Sequence, residues 1–359
     1  MVNSRNTVPE KINSNFKNKH IISLDQFSSR DISLVLETAK KMKEICAKQE
    51  TSKILEGRIA ALIFYEPSSR TFASFATAVK RLGGQTIEIL NPEHFSSVSK
   101  GETFEDTIRV FEAYSDVIVL RHPQIGAAQT ASNTVISVPV INAGDGAGEH
   151  PTQALLDMAT IKESHDLDNL TGVIAGDLLN GRTVHSLIKG LSLYKNNTLF
   201  LLSPVGLRLS REDLRTYLKN PSMSLRGGTT KQSLSTTGLP RSLQSLAMTK
   251  KEHGIKLIEI QDEIDMPKNA HFWYWTRVQK ERFADKSQYE KLKNKFKITK
   301  ELMKNFASPK TIIMHPLPRV GEIELEVDSD PRAVYLTSQI RNGLYVRMAL
   351  LALVLGKIT

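Results

Sequence analysis

Four short apolar runs, Ile59 to Phe64, Thr86 to Leu90, Asp116 to Leu120 and Val138 to Asn142, alternate with stretches of helical spacing in the first half of the chain. Strand-length runs separated by helix-length intervals predict βαβ units and a parallel sheet. A second series follows, with strands expected at Gly172 to Ala175, Thr198 to Leu202, Ile255 to Ile260, Phe272 to Trp275 and Thr311 to Met314, and helices near Arg182 to Tyr194 and Ser210 to Leu218. The pattern therefore predicts an α/β protein of two doubly wound parallel-sheet domains. His150 to Ser164 is expected as the connecting helix and His165 to Leu170 as a polar turn, which puts the boundary near residue 165. The last helix is expected at about Ser338 to Leu355. In open sheets of this kind ligands sit beyond the carboxyl ends of the strands, and a cleft between two domains gathers loops from both, so the active site is expected there.

Composition narrows the class. At 359 residues, with 40% hydrophobic and 24% charged positions, the chain is long enough for two ordinary cores. Met1 to His20 is polar, rich in Asn and Lys and without an apolar stretch of signal-peptide length, so residues 1–20 are expected as a flexible leader, disordered or loosely docked. Met348 to Leu355 is too short to span a bilayer and is read as core, so no membrane partner is expected. The single cysteine, Cys46, cannot form an internal disulfide, which fits a reducing cytoplasm. No Cys/His spacing suggests a metal site. The net charge of +10 comes from Lys and Arg interleaved with Asp and Glu, without a basic stripe carrying aromatics, so no nucleic-acid partner is expected.

The most informative motif is Pro67-Ser68-Ser69-Arg70-Thr71, between the apolar run ending at Phe64 and a helix-like stretch from Thr71 to Leu82. A strand that stops at a helix start leaves unpaired amides there, and the macrodipole adds about half a positive charge. The turn supplies hydroxyls and a forked guanidinium in place of the glycine-rich backbone and Lys of a Walker loop. As an isolated motif it reads equally as a helix cap beside a solvated Arg70.

Four further motifs fall where an α/β chain puts loops at strand ends: His150-Pro151-Thr152-Gln153, Gly181-Arg182-Thr183-Val184-His185-Ser186, Thr276-Arg277-Val278-Gln279-Lys280-Glu281-Arg282 and His315-Pro316-Leu317-Pro318-Arg319. Together the five resemble the aspartate carbamoyltransferases of the aspartate/ornithine carbamoyltransferase superfamily, from about Leu24 to Gly356. The resemblance implies transfer of the carbamoyl group of carbamoyl phosphate to L-aspartate in pyrimidine synthesis, with no cofactor and no metal. It implies a carbamoyl-phosphate-binding domain over residues 21–165, joined by the C-terminal helix at about 338–359, and an aspartate-binding domain over 166–337.

Residue by residue, the resemblance assigns Ser68, Ser69, Arg70 and Thr71 to the phosphate, with Arg70 neutralising the departing group. Arg121 and His150 contact the carbamoyl carbonyl and phosphate, and Gln153 binds the carbamoyl amino group. Arg182, Arg277 and Gln279 bind aspartate, whose two carboxylates call for at least two guanidiniums. Leu317 and Pro318 offer backbone carbonyls to the substrates' amino groups. The segment Ser96 to Thr103 is similar to a family loop that reaches a neighbouring subunit's site, where Ser96 and Lys100 complete the pocket, with Lys100 also near aspartate. A homotrimer with shared sites is thereby implied, and regulatory chains or dihydroorotase are the further partners that the resemblance admits.

Two departures stand out. Ala76 follows Ser74-Phe75 where many relatives carry Glu, which bears on the tuning of that helix. Ser222 to Thr249 is rich in Ser, Thr and Gly, has Arg226, Lys231 and Arg241 as its charges and lacks acids, and is expected as an inserted surface loop. Ornithine carbamoyltransferase shares the phosphate turn, but its pattern has Cys in the late His-X-Leu-Pro motif, where this chain has Pro316. A scaffolding paralogue without turnover is the other rival, and retention of Arg70, Lys100, Arg121, His150, Gln153, Arg182 and Arg277 argues against it.

Overall fold

In a computed structural model the alternating runs form two parallel sheets. The structure describes residues 9–48, 52–95, 97–146, 148–218, 255–280, 283, 285–293 and 295–358; Ser96 and the segment Ser222 to Thr249 lie outside them. The chain divides into two units, Met1–Ala159 with Ile340–Thr359, and Thr160–Gln339.

In the first unit, strands β1 (Ile59–Phe64), β2 (Gln85–Leu90), β3 (Val117–His122) and β4 (Val140–Asp145) lie in the order β2-β1-β3-β4, all pairs parallel. Helix α1 (Ser29–Ala47) precedes them, and α2 (Ser69–Arg81), α3 (Pro92–Phe95), α4 (Phe104–Tyr114), α5 (Ala127–Thr134) and α6 (Pro151–Lys162) connect and follow them. Residues Ala60 to Phe64 of β1 are continuously buried, as expected of a central parallel strand covered on both faces, whereas edge strand β2 is partly exposed. Ile63, Ile108, Ile118, Leu120, Ala131 and Val140 form the core.

The second unit carries β5 (Thr171–Ala175), β6 (Asn197–Leu202), β7 (Ile255–Ile260), β8 (Phe272–Trp275) and β9 (Ile312–Met314) in the order β7-β6-β5-β8-β9, again all parallel. Its helices are α7 (Arg182–Leu191), α8 (Arg211–Leu218), α9 (Lys286–Leu292) and α10 (Lys300–Phe306). Trp273 and Trp275 are buried with Val173, Phe200, Leu202, Ile298 and Ile313 in its core. The last helix, α11 (Ser338–Val354), is buried continuously from Val346 to Val354, and its larger part belongs with the first unit.

Of the expected leader the structure describes residues 9–20, and these follow the docked alternative rather than the disordered one. From residue 9 to 20 the chain is docked, because Ile12 and Phe16 are buried and the Phe16 ring packs 5.9 Å from that of Phe27. Asp31 Oδ1 accepts from the Ser14 N–H at 2.6 Å, and Val354 O accepts from the Asn18 N–H at 2.8 Å. Ile21 then forms a parallel bridge to Ile141 of β4.

Each sheet has one place where strand order reverses, between β1 and β3 in the first and between β5 and β8 in the second. Chain leaving these adjacent strands diverges to opposite faces, which opens a crevice at their carboxyl ends.

Candidate active site

Ser68 to Thr71 sit at the carboxyl end of β1, where α2 begins. Ser68 occupies the N-cap position, yet its hydroxyl makes no capping bond, and the first turn of α2 has no acidic residue. Arg70 instead stands there, exposed, beside the positive end of the helix dipole. A cation in the first turn is locally unfavourable, and an external anion reverses that sign. Thr71 is buried.

Across the crevice, Arg121 pairs with Phe64 in the β1–β3 register. Its side chain is almost fully buried, with Nη2 2.7 Å from Glu66 Oε2 and Nη1 donating to Ala143 O at 3.2 Å. Glu66, in the loop from β1 to α2, thus holds the guanidinium in place, and no motif in the sequence points to it. Gly144, at φ +118, leaves room for Arg121: a Cβ there would lie 2.8 Å from Nη1 and 3.5 Å from His150 Cδ2. Arg121 and His150 are therefore neighbours around one glycine. His150 is buried, with Nδ1 3.4 Å from Thr152 Oγ1.

The loop that carries His150 is anchored by two carboxylates. Asp145 accepts from the Gly126 and Glu149 N–H groups at 3.0 and 2.9 Å, and burial pushes its acid group above the usual carboxylate range. Glu149 accepts from Ser23 Oγ at 2.7 Å and from the Leu24 N–H at 2.9 Å. Gln153 follows on the first turn of α6, with Nε2 donating to Asp157 Oδ1 at 3.0 Å. Lys100 is exposed at the end of a short turn of helix, Ser97–Lys100, ahead of α4, whose N-cap Thr103 accepts from the Asp106 N–H. The first unit thus gathers Ser68 to Thr71, Arg121, His150 and Gln153 around the carboxyl ends of β1, β3 and β4.

The second unit repeats the arrangement. Arg182 opens α7 after β5, and Arg277 and Gln279 follow β8; both arginines are half-buried. Asp177, fully buried, ties the two loops together: Oδ1 accepts from the Asn180 N–H at 3.0 Å and Oδ2 from the Gln279 N–H at 3.4 Å, while Gln279 Nε2 donates to Asn180 O at 2.9 Å. Gly176, at φ +110, permits this closeness, since a Cβ would lie 2.0 Å from Thr276 O. Asp177 and Asn180 were not singled out in the sequence, although they immediately precede the Gly181-Arg182 motif.

After β9, His315 and Glu322 form a buried pair with Nε2 2.7 Å from Oε1. His315 Nδ1 accepts from the Leu317 N–H at 2.8 Å, so the Nε2 nitrogen carries the proton toward Glu322. Burial holds the imidazole below its ordinary value, and the nearby Arg319 and Arg277 charges act in the same direction against Glu322. Leu317 is held at φ 55 and joins Pro318 through a cis peptide. A left-handed conformation costs a branched residue about 1–3 kcal/mol and persists where surroundings over-determine it. Here the His315 and Glu322 contacts fix the turn, so the Leu317 and Pro318 backbone is presented in one conformation.

Comparison with known proteins gives a consistent picture. The sequence model of the family "Aspartate/ornithine carbamoyltransferase, carbamoyl-P binding domain" matches residues 19–163, and that of "Aspartate/ornithine carbamoyltransferase, Asp/Orn binding domain" matches 168–354. The aspartate carbamoyltransferase catalytic subunit of Methanosarcina barkeri is 43% identical over 96% of this chain and 99% of its own. Among solved structures, the catalytic subunit of M. jannaschii aspartate transcarbamoylase is 42% identical, with a TM-score of 0.77 over 93% of this chain and 96% of that one. Aspartate transcarbamoylase from Trypanosoma cruzi in complex with carbamoyl phosphate is 37% identical, with a TM-score of 0.80 over 96% of this chain and 98% of that one.

Proposed function

Because the chain belongs to the aspartate/ornithine carbamoyltransferase family, with both of its domains matched, we propose a division of labour between two crevices for the reaction it catalyses. The chain transfers the carbamoyl group of carbamoyl phosphate to L-aspartate, giving N-carbamoyl-L-aspartate and phosphate, the step that feeds pyrimidine synthesis. In our reading Ser68, Ser69, Arg70, Thr71, Arg121, His150 and Gln153 bind carbamoyl phosphate, and Arg182, Arg277 and Gln279 bind aspartate. The backbone of Leu317 and Pro318 meets the amino groups. The observation that carries this division is positional: each sheet places its guanidiniums at its own strand-order reversal, Arg70 and Arg121 in one, Arg182 and Arg277 in the other.

The chemistry follows from these groups. The aspartate amine attacks the carbonyl carbon, a tetrahedral oxyanion forms, and the carbon–oxygen bond to phosphate breaks. Arg121 and His150, packed around Gly144, stabilise charge on the carbonyl oxygen. Arg70 and the amides at the start of α2 take up charge on the departing phosphate. Orientation and such preorganised donors each supply several kcal/mol, about 7–11 for orientation and about 3–4 for a single donor. No step requires a nucleophilic side chain.

The test is phosphate release and carbamoyl-aspartate formation by purified protein, with ornithine as the alternative acceptor. Activity is expected with L-aspartate and carbamoyl phosphate together; equal activity with ornithine would overturn the assignment of Arg277 and Gln279.

We also read the enzyme as a cytoplasmic homotrimer with shared sites, to which regulatory chains or dihydroorotase can be added. Cys46 as the single thiol supports the compartment, and no helix among the described residues is long and apolar enough to cross a membrane. Exposed Lys100 supports a site completed by a neighbour; Ser96, expected to act with it, lies outside the described residues. Mixing inactive Lys100→Ala and Arg70→Ala trimers after mild dissociation is expected to restore activity, since a hybrid interface contains one site with both residues intact. Hybrids confirmed by mass spectrometry that remain inactive would rule sharing out.

A further inference from the structure

Asp157 lies one helical turn beyond Gln153 on α6 and is fully buried. Gln153 donates through Nε2 to its Oδ1 at 3.0 Å. An ionised carboxylate only accepts, so this contact fixes which way round the amide sits: NH2 toward Asp157, and Oε1 left as the end that can meet a ligand. An amide without such a neighbour presents either end.

A buried carboxylate needs a counter-charge to stay ionised, and Arg347 on α11 supplies it. Arg347 is buried, with Nη1 donating to Ser74 Oγ at 2.8 Å and its guanidinium 5.2 Å from the centre of the Phe75 ring. Burial lowers its pKa to about 10 and the attraction of Asp157 opposes that fall, so the guanidinium stays charged at neutral pH. The charge of Asp157 is thereby held in place from one side while Gln153 is oriented on the other.

We propose that Asp157 is a positioning residue which, by fixing the Gln153 amide with its oxygen toward the substrate, makes the site select an acyl phosphate bearing an amino group over one bearing a methyl. This rests on the reading of Gln153 as the group that meets the carbamoyl amino group. A Gln153 that presents only its oxygen gains a bond from a carbamoyl NH2 and is left unpaired against an acetyl methyl. Sites built to hydrogen-bond a polar group reject analogues that lack it far more strongly than apolar pockets discriminate size.

The experiment compares carbamoyl phosphate with acetyl phosphate in the full-length enzyme, taking KM and kcat for the first and the competitive inhibition constant of the second. In Asp157→Asn the neighbour can offer either its oxygen or its NH2, so Gln153 gains the inverted orientation that sets donor against donor. The KM for carbamoyl phosphate is expected to rise by about tenfold, with kcat changed less than threefold and the acetyl phosphate constant by less than twofold. Equal weakening of both acyl phosphates would make Asp157 a structural counter-ion and overturn the proposal. Since Asp157→Asn strands the Arg347 charge and can impair folding, the double variant Asp157→Asn/Arg347→Met, which removes both buried charges, carries the same readout. Retained discrimination in a folded double variant likewise overturns it. A wild-type enzyme that carbamoylates no aspartate would instead overturn the function itself, so the two failures are distinguishable.

Discussion

Arg70→Ala is expected to lower the rate of carbamoyl transfer by about a thousandfold or more at saturating substrates, because it deletes a full charge from the position at which we propose that phosphate departs. The local structure argues that this charge serves a ligand. Arg70 sits in the first turn of α2, where a cation opposes the helix dipole and an acid would have been stabilising, and that turn contains no acid. Ser68 holds the N-cap position without spending its hydroxyl on the helix. The opposite side of the crevice is already committed: Arg121 is buried and ion-paired with Glu66, so it cannot swing across to replace a lost guanidinium. Arg70→Lys should recover part of the rate, since charge returns without the fork. Initial rates of phosphate release across the three proteins check this, and a loss below tenfold for Arg70→Ala would return Arg70 to the role of a surface residue.

How much of this was legible in the sequence depends on the range of the signal. The strand runs were readable because a covered parallel strand is a short continuous apolar block, as in Ile59 to Phe64 and Phe272 to Trp275. Helix α1 was not assigned, although Ser28 and Asp31 form a reciprocal cap, because its buried face of Ile32, Val35, Ala39 and Met42 is diluted by charged residues. Ile12 and Phe16 were hidden for a related reason: two apolar residues in a polar run make no period, yet each finds a place in the core. Helix α6 was expected as a connecting helix, and its length alone did not reveal that most of it is buried.

The candidate site was legible through its motifs but its supports were not. Glu66 beside Arg121, Asp157 beside Gln153, and Asp177 beside Gln279 are pairings made in space. The Asp177 contact joins residues 102 positions apart, which no local pattern records. Asp157 was the exception in principle: an acid one turn from Gln153 on a predicted helix is a readable neighbour. What the sequence did not disclose was its burial, which turns a surface pair into a device that fixes the orientation of an amide.

Arg277→Ala is expected to raise the KM for L-aspartate by about a hundredfold while moving that for carbamoyl phosphate by less than threefold, since charge-assisted bonds to a carboxylate are worth about 1.5–3 kcal/mol. The selectivity follows from how the loop is held. Thr276 Oγ1 donates to Ala175 O at 3.1 Å, buried Val278 packs with Leu207 and Tyr289, and the Gln279 N–H reaches Asp177. None of these contacts uses the Arg277 side chain, so they still hold the loop backbone when the side chain is truncated. Its charge also lies close enough to His315 to disfavour protonation there, which sets it beside the turn that presents Leu317. A carboxylate bound by Arg277 would thus lie close to the backbone proposed to receive the amine. Arg277→Lys should fall between the two, retaining charge without the paired geometry. Steady-state kinetics with each substrate varied in turn decide it. Equal weakening of both substrates would give Arg277 a structural role and would leave Arg182 to hold aspartate's two carboxylates with other partners, against the need for a guanidinium on each.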